Sequence, residues 1–164
     1  MASDKKLHNL FHDTLKDIYF AERKIVDALP KMETAASNGQ LKDAFKKHLA
    51  ETQVHIERIE QVFKLIGKQA EPKTCSAILG ITDEADEIMQ EYQGSTALDA
   101  GLLAAAQAVE HYEMSRYGTL RPWALELGLN EAAGLLQTTL DEEQKTDLAL
   151  TSLATSVVNQ NAEV

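Results

Sequence analysis

Two glutamates, Glu110 and Glu113, lie in the phrase Ala-Val-Glu-His-Tyr-Glu at Ala108 to Glu113. They point to the apolar side of a long helical pattern. A carboxylate withdrawn from water without a partner is costly, so two of them one turn apart call for compensation. The most economical compensation is a metal. Hard cations take oxygen ligands, and bridging carboxylates hold two ions a few ångströms apart. Histidine nitrogen then favours iron or manganese over calcium or magnesium.

Such a site needs ligands from other helices, and the sequence offers them. At about 100° per residue, Phe11, Leu15, Ile18, Val26 and Leu29 fall within about 40° of Glu22, which therefore lies at the centre of its stripe. On the next helix Glu51 stands at the edge of an arc formed by Leu41, Phe45, Leu49, Ile56, Ile59, Val62, Phe63 and Ile66. His55 stands further inside that arc than Glu51, one turn on. Leu103, Ala106, Met114 and Tyr117 share the direction of Glu110, with Glu113 about 60° away. Glu143 is central among Leu136, Thr139, Leu150, Ala154 and Val157, with Asp147 beside it. The expected metal ligands are Glu22, Glu51, His55, Glu110, Glu113, Glu143 and Asp147, holding two iron ions or manganese. A single acid on an apolar stripe more often snorkels or pairs with a base, and Lys47 and Arg58 are available to Glu51. The weight of the metal reading comes from coincidence across four helices. His111 is turned away despite its place beside Glu110. His48 is read as an outer neighbour of the site or a surface group, and Glu142 as a solvated flank residue. Tyr117, in line with Glu110, is placed to hydrogen-bond a ligand carboxylate.

The elements that must position these residues are helices over about 4–36, 41–66, 75–92, 96–127 and 131–159, within one domain spanning 1–164. Ser3 is the expected cap of the first helix, Thr74 of the third and Asn130 of the last. Pro30 is placed to bend the first helix, and Pro122 leaves open whether the fourth ends before Trp123. Connections one and three of the four long helices are short, and the middle one is long, with the 75–92 helix inside it. The fold class is all-α: a ferritin-like four-helix bundle with an extra short helix in the crossover.

Composition agrees. The 164 residues are 44% hydrophobic and 26% charged, with 5% aromatics and only three prolines, so helix formers dominate. A net charge of −10 disfavours nucleic acid and anionic membrane as partners. No apolar run reaches the ~20 residues of a membrane span. One cysteine, Cys75, and an N-terminus without an apolar signal segment fit a cytoplasmic protein. There is no phosphate-cradling glycine loop and no nucleophile elbow.

The phrase Ala-Ala-Ala-Gln-Ala-Val-Glu-His-Tyr-Glu at Ala104 to Glu113, followed by Tyr117-Gly-Thr-Leu120, resembles the bacterial ferritin-like stress proteins of the YciF family. So do His48-Leu-Ala-Glu-Thr52, Ile56-Glu-Arg-Ile-Glu-Gln-Val62, and Thr139 to Glu143 with Thr146-Asp147. The resemblance runs from about Leu10 to Leu153. It implies a rubrerythrin-like bundle with an extra crossover helix, a homodimer, a di-iron-type site and a place in the stress response. The metal reading of the central acids adds O2 or peroxide as the expected oxidant. By position it carries Glu22, Glu51, Glu110, Glu113 and Glu143 over as site acids. The wider ferritin-like pattern has Glu-x-x-His on the second and last helices. Here Val54 and Thr146 occupy the histidine positions, which implies a site poor in nitrogen. That departure supports a rival reading, a non-catalytic dimeric stress or interaction protein with a degenerate metal site.

Overall fold

The computed structural model describes residues 5–164. Five helices carry the chain: α1 Leu7–Ala35, α2 Gly39–Leu65, α3 Ser76–Glu91, α4 Leu98–Glu126 and α5 Asn130–Leu153. The last continues through a π-helical stretch, Ala154–Val158, into a final turn at Asn159–Asn161. No strand occurs among the described residues.

Local chemistry sets the helix ends. The expected Ser3 cap lies outside the described residues. At the start of α1 the Asn9 side chain instead accepts from the Lys6 N–H at 3.0 Å. Asn38 caps α2 by accepting from the Leu41 N–H. Cys75, rather than Thr74, caps α3 through a contact from the Ile78 N–H to its sulfur. Asn130 is the first residue of α5 and its cap position is Leu129. Gly67 ends α2 at φ +66, a conformation that a side chain would strain. Both internal prolines are tolerated. α4 runs through Pro122 to Glu126 because Leu120 and Ala124, on either side, are fully buried and hold the last turn in place. Tertiary packing here outweighs the hydrogen bond that proline cannot donate.

α1 packs against α2 and α4, and α5 against α4 and α2, so the four long helices enclose one core. Phe11, Leu15, Ile18, Phe45, Ile59, Phe63, Leu102 and Tyr117 fill it. The Asp99 carboxylate, at the start of α4, accepts from the Ser37 and Asn38 N–H groups at 2.7 Å each. The starts of α2 and α4 therefore sit at the same end, and these two helices run parallel. The segment between them must return along the bundle, and α3 does so while packing on α1 and α4. This is the ferritin-like arrangement with a helical crossover.

Candidate metal centre

Glu22, His48, His55, Glu110, Glu113 and Glu143 meet in the middle of the bundle, and each is at most 2% exposed. Two sets of ligand atoms lie within 4.8 Å of one another: His48, Glu110, Glu113 and Glu143 in one, Glu22, His55 and Glu143 in the other. Glu143 belongs to both. Four carboxylates and two imidazoles from four helices thus form two adjoining half-sites joined by one acid.

The separations inside the cluster are short: 3.1 Å from His48 Nε2 to Glu110 Oε1, 3.8 Å from His48 Nε2 to Glu113 Oε2, and 2.9 Å from His55 Nδ1 to Glu143 Oε1. The alignment is poor. Nine buried polar atoms here lack a hydrogen-bond partner: Glu22 Oε2, His48 Nε2, His55 Nδ1 and both oxygens of Glu110, Glu113 and Glu143. Among the described residues the only other such atom is Arg116 Nε. Donor atoms that crowd together without bonding one another are directed at common points between them. Imidazole nitrogen with carboxylate oxygen is a ligand set for divalent transition metals, so the residues present fit a metal ion.

The electrostatics carry the same message. Burial, then the charge of Glu143, raises Glu22 to about 7. Burial, then Glu143, raises Glu110 to about 11 and Glu113 well above the carboxylate range. Burial lowers His48. Burial also opposes the charge on His55, but Glu143, Glu22 and Glu142 outweigh it and raise the imidazole to about 9. Without a cation these groups must hold protons to tolerate one another.

The surroundings orient the ligands unequally. His55 Nε2 lies 2.9 Å from Glu142 Oε2. Glu142 is itself paired with Arg58, whose Nη2 donates to Oε1 at 3.0 Å and whose Nη1 reaches Thr139 Oγ1 at 3.3 Å. The Arg58 bond, followed by His55, holds Glu142 below its ordinary range. A carboxylate on one ring nitrogen leaves the other free as a lone-pair donor. Tyr117, fully buried, donates a short hydrogen bond to Glu22 Oε1.

Of the seven expected ligands, five come together: Glu22, His55, Glu110, Glu113 and Glu143. The other two stand outside both sets. Glu51 is part-exposed, pairs with Lys47 at 3.3 Å and accepts from Thr146 Oγ1 at 3.4 Å. Asp147 accepts from Gln107 Nε2 and meets the exposed His111, at 3.1 Å each. His111 is thus turned away from the site. His48 is not a surface group but part of the cluster, and Glu142, part-exposed on its flank, is also clasped by Arg58. The signal for His48 was its spacing: His48, Thr52 and His55 fall on one face at i, i+4 and i+7. The expected poverty in nitrogen also falls, since two imidazoles reach the cluster from α2 in place of the i+3 histidines.

An all-helical bundle with a crossover helix and buried histidines and carboxylates defines the class. Residues 6–163 match a family described as a domain of unknown function, DUF892. Protein YciF of Escherichia coli K12 is 43% identical over 160 residues, covering 97% of this chain and 96% of that one. The crystal structure of the E. coli stress protein YciF superposes with a TM-score of 0.90, covering 94% and 98% of the two chains. YcfI from Rhodopseudomonas palustris, 45% identical, superposes at 0.88 over 92% and 97%. The chain belongs to the DUF892 family, and it is similar to these proteins along nearly its whole length. No helix among the described residues is long and apolar enough to cross a membrane.

Proposed function

We propose that this chain is a ferritin-like metal protein that holds two ions, iron or manganese, and acts on dioxygen or peroxide in a bacterial stress response. The observation that carries the reading is the set of nine unpartnered donor atoms converging in the middle of the bundle core. Leaving that many buried polar atoms unpaired is unfavourable enough that a ligand is the economical explanation. The stress context follows from similarity to the E. coli stress protein YciF.

In this reading His48, Glu110 and Glu113 would hold one ion, Glu22 and His55 the other, and Glu143 would serve both half-sites. The ions would supply the oxidation–reduction chemistry. The protein's part is positioning: Glu142 fixes the His55 tautomer, Tyr117 fixes one oxygen of Glu22, and the packed helices keep water out.

Elemental analysis of the full chain, produced with iron or manganese in the medium, tests this. About two transition-metal ions per chain are expected, and almost none in Glu143→Ala, whose loss opens both half-sites. Fewer than one ion per wild-type chain would overturn the proposal.

A further inference from the structure

The crossover helix does more than connect. Where α3 lies across α1 and α4 it roofs a small, largely enclosed cavity that ends at His48. Ala28 and Ile81, both half-buried, stand at the seam between α1 and α3. Ala85, Ala105 and Val109, all buried, form walls. The cavity volume is about 10 Å³, room for a single small molecule.

Its chemistry is selective. A buried water needs two to four polar partners, and voids that lack them stay dry. Only two lining residues carry polar side chains. Thr82 already donates its hydroxyl to the Ile78 and Leu79 carbonyls. His48 directs Nε2 toward Glu110 and Glu113. Hydrogen peroxide has two O–H donors and would enter at the expense of its hydration. An apolar diatomic has none to lose and gains contact with alanine and valine methyls.

We infer that this cavity is a dry binding pocket for dioxygen, opening from the α1–α3 seam onto the His48 half of the centre. The inference rests on the reading of that centre as one that meets an oxidant, and it selects dioxygen over peroxide. The alanines serve it by leaving volume that larger side chains would fill.

The test is methyl NMR of the full chain, metal-free and zinc-loaded, under dioxygen pressure and separately with dissolved xenon. Paramagnetic broadening by dioxygen is expected to be several-fold greater at the Ala85, Ala105 and Val109 methyls than at other buried methyls. Xenon should give saturable shifts at the same positions. Val109→Ala, which enlarges the space, should raise xenon occupancy, and Ala28→Leu, at the mouth, should slow its exchange. Broadening that follows surface exposure alone, or stronger perturbation of these methyls by hydrogen peroxide than by dioxygen, would overturn the inference. The two proposals fail separately. A chain that binds no transition metal but still concentrates both gases at these methyls refutes the metal reading alone. A chain that binds two ions and leaves these methyls silent to both gases refutes the gas pocket alone.

Discussion

The two halves of the buried cluster share Glu143 but differ in what stands behind them. The His55 half is backed by polar groups: Glu142 and Arg58 behind the imidazole, Tyr117 behind Glu22. The His48 half has apolar walls from α1, α3 and α4, and both oxygens of Glu110 and Glu113 are left without partners. A ligand with a hydrogen-bonded partner is held in one orientation, and one without can turn. In the proposed centre, one half would favour fixed coordination and the other ligands that rearrange.

The strongest way to break this contrast is to remove one imidazole at a time. His55→Ala and His48→Ala should each lower the metal content from two ions per chain to about one, measured by elemental analysis. Loss of both ions in either variant would mean that the halves are not separable. Next in size is the effect of pH on the metal-free protein. Glu22 is raised in the fold to about 7. Its contribution is therefore complete below its unfolded value of 4.5 and is lost as pH rises through 7. That amounts to roughly 3 kcal/mol for this group alone. His55, raised to about 9, acts in the same direction between its unfolded 6.5 and 9. His48, lowered, acts oppositely, its contribution being lost as pH falls through its folded value. The melting temperature of the metal-free chain should fall from pH 5 to pH 9. Added metal should restore it most at high pH, where fewer protons must be displaced. A flat profile would contradict the protonated cluster.

Smaller effects sharpen the comparison. Glu142→Gln removes the anion behind His55 and should weaken binding of one ion about tenfold to a hundredfold. The other ion should be unaffected, and competition with a chromophoric chelator would read the difference. Equal weakening of both would dissolve the asymmetry. Glu51→Ala should change stability by no more than about 1 kcal/mol in chemical denaturation, since it removes a part-exposed pair with Lys47. Its metal content should stay the same.

Much of this architecture was legible in the helical stripes. Glu22, Glu110 and Glu143 sit at the centres of apolar faces, and a central position on a helix decides burial whatever the neighbours are. Positions at the edge of a stripe depend on the partner helix. Glu51, at the edge of its arc, turned to Lys47 and Thr146. Asp147, read as lying beside Glu143 on the stripe, met Gln107 and His111 on α4 instead. His48 shows the converse. A wheel drawn for α2 alone cannot see α3, yet the crossover packs over the seam that His48 lines. The pairing of Glu142 was hidden for a similar reason, because its partner Arg58 comes from 84 residues earlier in the chain.

The clasp between Asp99 and the Ser37–Asn38 turn joins the two helical hairpins, α1 with α2 and α4 with α5, at one end of the bundle. Each hairpin is built largely from local contacts and can form early, whereas docking one on the other spans the long crossover. The buried cluster is divided evenly across that docking seam: Glu22, His48 and His55 from the first hairpin, Glu110, Glu113 and Glu143 from the second. Neither hairpin alone has a complete set. Any ion held there is a cross-link between the two halves of the chain, and its binding energy works as assembly energy. Stripping it would open the seam before it unwound either hairpin.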